Sequence, residues 1–160
     1  MKRRKSRGAP MVDQLLRATA AEPLPPVAEV LDVDREYRRR ATAAELSTIA
    51  PRRCNPTGDQ WLPIMQTTRG HRHYTALFSN TENAHRLDRT HDWVVISFDG
   101  RGRDQQCTVV TSAKGPLAGR RVVRGREVEC IAHYRLNASV VRSRRRARRE
   151  SRSMTYRRVT

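Results

Sequence analysis

Residues 115–130, GPLAGRRVVRGREVEC, set Arg120, Arg121, Arg124 and Arg126 among Gly115, Gly119 and Gly125, just before what reads as a helix start. Glycine lets a backbone approach a ligand closely, and the free N–H groups at a helix N-terminus attract anions. The chemistry this spacing offers is phosphate binding. It is not a nucleotide P-loop, because no Lys followed by Ser or Thr closes the run to reach a β-phosphate and magnesium. In an extended segment Arg120 and Arg124 share a face and Arg121 points the opposite way. All four therefore converge only if Gly119 or Gly125 bends the chain, and the alternative is a plain solvated connection.

A second set, Asp92, Asp99, Glu127 and Glu129, with His91 and Lys114 nearby, holds the residue types of a metal-dependent nuclease. Such enzymes cluster carboxylates to hold a divalent cation beside the attacked phosphate. Each member also has a structural reading. Asp99 sits in the turn signal FDGRG, where aspartate bonds its own backbone. Glu127 and Glu129 fall in the first turns of a helix, where negative charge complements the macrodipole. A nuclease or phosphodiesterase is therefore the alternative, and the expectation leans away from an enzyme.

Three cysteines (Cys54, Cys107, Cys130) and five histidines supply only two close pairs, His71 with His73 and Cys130 with His133. Structural zinc sites use tight thiol pairs, so no metal or other cofactor is expected. An odd number of widely spaced cysteines is not a disulfide framework. No serine stands in a G-x-S-x-G elbow.

Charge is the strongest compositional signal. The 160 residues carry a net +17, of which +5 resides in residues 1–10 and +9 in residues 135–160, leaving +3 for residues 11–134. Blocks of like charge with few apolar residues do not fold on their own and seek an anionic partner. The C-terminal block holds Arg142, Arg144, Arg145, Arg146, Arg148 and Arg149. Backbone phosphates bind such segments without further chemistry. An anionic membrane is the weaker partner, since this block has no aromatic or leucine-rich face to insert. No apolar run approaches the roughly 20 residues that span a bilayer, and no signal core follows the basic N-terminus. A cytoplasmic protein is expected, with basic disordered tails at 1–10 and 135–160 around one domain at 11–134.

Several elements must position these groups. Residues 12–21 read as a short helix broken by EPLPP. A second helix begins near Pro25 and Pro26, with Val27, Val30, Val33, Tyr37, Ala41 and Ala44 forming an apolar stripe. Its polar faces offer the acid-first pairs Asp34 to Arg38 and Glu36 to Arg40. Arg35, Arg38, Arg39 and Arg40 read as a solvated, ion-paired face, with a phosphate-facing ridge as the alternative. After the loop APRRCNPTGDQ the periodicity falls to two. WLPIMQTTR and HRHYTALFS form a hairpin around Gly70, and DWVVISFDG and DQQCTVVTS form a second around GRGR. Between the hairpins SNTENAHRL opens a short helix, with Ser79 and Glu82 in capping-box positions. WVVI, nearly continuous in apolar character, is expected to be a central strand covered on both faces. A further short helix starts at GREVEC. The class is α+β, with a small antiparallel sheet.

The segments DVDREYR, IAPRR, NPTG, WLPI, TALFSNT, DWVVI, CTVVT and GPLAGRRVVRGRE are spread between residues 32 and 127 and carry a resemblance over roughly residues 26–134. In this combination the chain resembles the C-terminal portion of bacterial helix-hairpin-helix proteins whose N-terminal regions are similar to the DNA-binding domain of X-family DNA polymerases. The resemblance implies a role in DNA transactions such as repair or replication, with DNA favoured over RNA, and carries over no catalytic residue. Cys54 departs from it, standing where an aromatic residue is expected, and no helix-hairpin-helix part is present. The overall expectation is a non-enzymatic, sequence-nonspecific nucleic-acid-binding module, with a protein-interaction domain as a further alternative.

Overall fold

The apolar stripe read from Val27 onward folds as helix α1, Val27–Thr42, with Val27, Val30, Val33 and Tyr37 buried on one side. The computed structural model describes residues 23–99 and 105–157, with side chains to residue 145. The expected helix at 12–21, the basic segment 1–10 and the GRGR turn lie outside the described residues. Pro26 is the residue before the first helical turn, where its missing N–H costs nothing. The helix closes at Ala43 and Ala44, the latter at φ 54°, as the Glu45 amide returns to the Arg40 carbonyl at 2.9 Å.

Six strands follow: β1 (Thr48–Ile49), β2 (Leu62–Arg69), β3 (Arg72–Phe78), β4 (Val94–Phe98), β5 (Gln105–Thr111) and β6 (Arg121–Val123). They form one antiparallel sheet in sequence order, a meander in which every neighbour is the next strand in the chain. Both expected hairpins are present. β2 and β3 join through a two-residue loop because Arg69 pairs with Arg72, and Gly70 supplies the positive φ (55°) that this loop demands. Between β3 and β4 lies α2, Glu82–Arg86, capped by the Thr81 hydroxyl, which accepts from the Ala84 amide at 3.2 Å. Ser79 is not the cap: its amide still belongs to the sheet region, donating to the Trp93 carbonyl.

β4 is central, yet its residues alternate between buried and half-buried, with Val94, Ile96 and Phe98 inward. The expectation of cover on both faces is therefore corrected. In register, Phe78, Val94, Val109 and Val123 make one row of the inner face, and Tyr74 pairs with Phe98. The outer face carries the half-buried Ile64, Thr75, Leu77, Val95, Ser97 and Thr108. A meander exposes one face readily, because it needs no crossover helix to join its strands.

α1 covers the inner face. Tyr37 fixes it there: its hydroxyl donates to the Pro63 carbonyl and accepts from the Phe78 amide, both at 2.9 Å. Its ring meets that of Phe78 edge to face at 4.9 Å, worth about 0.5–1.5 kcal/mol beyond area burial. At the other end of the sheet Arg69 reaches up to Asp32 and Glu36 of α1.

A one-turn 3₁₀ helix, Gly115–Leu117, buries Leu117 and leads into β6. Helix α3, Glu127–Arg157, then runs for 31 residues. This is far longer than the short helix and separate tail expected, since the helix continues through the arginine-rich segment. No Gly or Pro interrupts residues 127–157, and Arg and Ala are among the strongest helix formers. Charge density said nothing of that propensity.

Candidate nucleic-acid interface

The glycine-rich arginine stretch is split by its own strand. Arg121 opens β6 on the inner face, paired with Thr111. Its Nε and Nη2 bind the two oxygens of Asp34 at 3.0 and 2.7 Å. Nη1 donates to the Asp92 carboxylate and carbonyl and to the Thr111 hydroxyl, and Nη2 also to the Val109 carbonyl. Every donor of the guanidinium is engaged by protein. With Arg121 only 15 % and Asp34 2 % exposed, this is a structural hub, and Arg121 is not a phosphate ligand. It also corrects the expected Asp34 to Arg38 pair, because Asp34 is turned into the protein.

Arg126 is likewise committed. It holds Glu129 through Nε and Nη2 at 2.8 and 2.5 Å and donates to the Pro25 carbonyl at 2.7 Å. The first turn of α3 provides its own anions, since the Glu127 carboxylate accepts the Gly125 amide at 2.9 Å. That bond holds the Glu127 carboxyl below its ordinary range, and the Arg126 guanidinium does the same for Glu129. A phosphate cradle at this helix start is therefore occupied by side chains.

Arg120 and Arg124 are the exposed remainder. Their guanidinium carbons lie 4.7 Å from the centre of the Tyr134 ring and 4.5 Å from that of Trp93. Stacking orders a long side chain while leaving its N–H edge free for an anion. Hence the ribbon contributes two usable cations, and they emerge on separate aromatic supports.

The carboxylates of the nuclease alternative do not assemble. Asp92 accepts from the Thr111 amide and hydroxyl and from Arg121. Asp99 stands beyond the opposite end of β4, roughly 20 Å away by strand rise, and binds the His73 amide and ring, both at 2.9 Å. Those bonds hold its carboxyl below the usual range. Glu127 and Glu129 have the partners given above. Among the described residues no three His, Cys, Asp or Glu side chains converge as metal ligands would. Cys130 is buried, its sulfur facing the Val123 amide at 3.4 Å, and His133 faces Asn137 instead.

Among the described residues, the largest array of unpaired cations lies along α3. Its root is anchored by buried Cys130, half-buried Ile131, and Tyr134, whose hydroxyl donates to the Arg121 carbonyl at 2.8 Å. From Arg135 to Arg145 every residue is exposed. Past Asn137 the helix extends for about 30 Å at 1.5 Å per residue as an arm. Among the described residues Arg142 bonds only a carbonyl of its own helix, and Arg144 and Arg145 have no partner. The side chains of Arg146, Arg148 and Arg149 lie outside those described, although their backbone continues the helix. The run of arginines signalled this cluster in the sequence; its helical form was the part missed.

Among the described residues no helix is long and apolar enough to cross a membrane. No protein-family model, curated protein or solved structure matches the chain.

Proposed function

We propose that this protein is a non-enzymatic, sequence-nonspecific binder of duplex DNA that acts in the cytoplasm, gripping backbone phosphates with the arginine arm of α3. The observation that carries this reading is the arm itself: a helix whose residues 135–145 are all exposed, Arg142, Arg144 and Arg145 among them, with only Glu150 to offset ten arginines after residue 134. Such a surface is unfavourable alone, since like charges at i, i+4 repel. Phosphates relieve that repulsion.

Duplex DNA suits the arm better than duplex RNA. A helix about 10–12 Å across matches the B-form major groove, whereas the A-form major groove is too narrow for it. Arginines distributed around the whole helix touch the backbone on both sides of a groove, which positions the protein without reading bases. Arg120 and Arg124 add two phosphate contacts at the domain surface. The family resemblance of residues 26–134 points to DNA as well.

The test is equilibrium binding of the full chain to duplex DNA, single-stranded DNA and duplex RNA across a salt series. Six arm arginines together with Arg120 and Arg124 on phosphates predict log K falling with log salt at a slope of about −7. Duplex DNA should bind most tightly, with no dependence on sequence. Absence of duplex binding at about 150 mM salt, where such contacts still operate, would overturn the proposal.

A further inference from the structure

Helix α1 carries Arg35, Arg38, Arg39 and Arg40, and three of the four are neutralised. Arg35 pairs with Asp32, Arg39 with Glu45 at 3.3 Å, and Arg40 with Glu36 at 3.6 Å and Glu45 at 3.8 Å. Arg38 is exposed and has no partner among the described residues. Its natural partner one turn back, Asp34, is taken by Arg121. The buried ion pair thus leaves an uncompensated cation on the surface directly above it.

That cation borders a cleft of about 300 Å³ between α1 and α3. Arg38 lines one wall, His133, Tyr134 and Asn137 the other, and the Asp34–Arg121 pair the base. Of the three arginines in the lining, Arg35 and Arg121 are paired with carboxylates, which leaves Arg38 as the cation without a partner among the described residues. Asn137 Nδ2 lies 3.0 Å from His133 Nε2. With the amide donating there, its second N–H and the Nδ1–H of the ring remain as donors. A guanidinium fork opposite an amide and an imidazole donor is the chemistry that recognises a phosphate oxyanion.

We propose that this cleft is a phosphate site, distinct from the arm, that takes one backbone phosphate of the DNA duplex. The source of that phosphate rests on the duplex-binding reading above; the anion site itself does not. Its position gives it a purpose. His133 and Asn137 stand one turn apart on α3, and Arg144 follows on the same face two turns later, about 10 Å along the axis. A strand pinned in the cleft is led onto the arm, so the cleft sets where along the backbone the arm engages.

Two arms of one experiment test this with the full chain. In the first, inorganic phosphate is titrated against the protein at constant ionic strength in chloride. The side-chain signals of Arg38 and Asn137 should shift saturably in nuclear magnetic resonance spectra, and Arg38→Gln should abolish the Asn137 shift. In the second, Arg38→Gln should weaken duplex binding roughly tenfold at low salt and make the salt slope shallower by about one. Asn137→Ala should do so more weakly. Because Arg38 holds no hydrogen bond or ion pair among the described residues, the melting temperature should move little. No phosphate shift, with an unchanged slope in Arg38→Gln, would overturn the site while leaving the arm's binding intact. A phosphate shift in a protein that binds no duplex would overturn DNA as the source and the function proposed above, leaving a site for a small phosphate ligand.

Discussion

Arg121 grips both carboxylate oxygens of Asp34, at 3.0 and 2.7 Å, across 87 residues of chain. The same guanidinium holds Asp92 and Thr111, so one residue joins α1, the approach to β4, the end of β5 and β6. The two ends of the pair are therefore unequal. Arg121→Met strands two carboxylates, one of them fully buried, and should cost about 3–5 kcal/mol. Asp34→Asn leaves Arg121 with Asp92 and should cost less, about 1–3 kcal/mol. Urea denaturation of the two variants measures both, and equal losses would contradict the hub.

The arm's charges act on binding and not on folding. Replacing Arg142, Arg144 and Arg145 together by Gln should make the salt slope for duplex DNA shallower by about 2.7, at about 0.9 per phosphate contact. The denaturation midpoint should be unaltered, since all three are exposed and none bonds a residue outside its own helix among those described. An unchanged slope would mean that these side chains do not meet phosphates.

Rigidity of the arm is separable from its charge. Ser143 sits inside α3, its hydroxyl on the Ser139 carbonyl at 3.1 Å. Ser143→Pro removes a backbone donor and clashes with the preceding turn, a penalty of about 3 kcal/mol in a helix interior. It should lower helicity by circular dichroism and weaken duplex binding severalfold, whereas Ser143→Ala should do neither. Equal affinity in the proline variant would show that the charges suffice without a helix.

Thiol and phenol burial set the alkaline limit of the fold. Burial pushes the Cys107 thiol from its ordinary value of 9.0 up to about 11, and raises Cys130, Tyr37 and Tyr74 as well. Above pH 9 the unfolded chain releases protons that the folded chain retains, so stability falls as pH rises. Cys107's contribution is complete below pH 9 and lost progressively up to about 11, and the tyrosines extend the fall beyond. Denaturation midpoints should therefore drop between pH 8 and pH 10.5. At neutral pH a thiol reagent should modify exposed Cys54 and spare buried Cys130; rapid labelling of all three cysteines would contradict the core described here.

What the sequence determined by itself was local. Alternation in HYTALF and VVISF, the 3-and-4 spacing from Val27 to Tyr37 and the glycine of the β2–β3 loop each reflect a period or a turn set within a few residues, and each element formed where that pattern placed it. Charge balance likewise located the cations in residues 135–160 without any knowledge of the fold. What only the tertiary structure decided was which charges survive. Asp34 and Arg38 satisfy the spacing of a surface pair, yet a partner 87 residues away claims Asp34, because a buried carboxylate needs several well-placed donors and its helical neighbour offers only a solvated one. The three-residue strand β6 could be read only as an extended segment with Arg121 opposite Arg120 and Arg124, and it is its pairing with β5 that sends Arg121 inward and leaves Arg120 and Arg124 outside. Of the glycine-rich arginine stretch, then, the sequence supplied the charges, and burial chose which of them remain free to meet a phosphate.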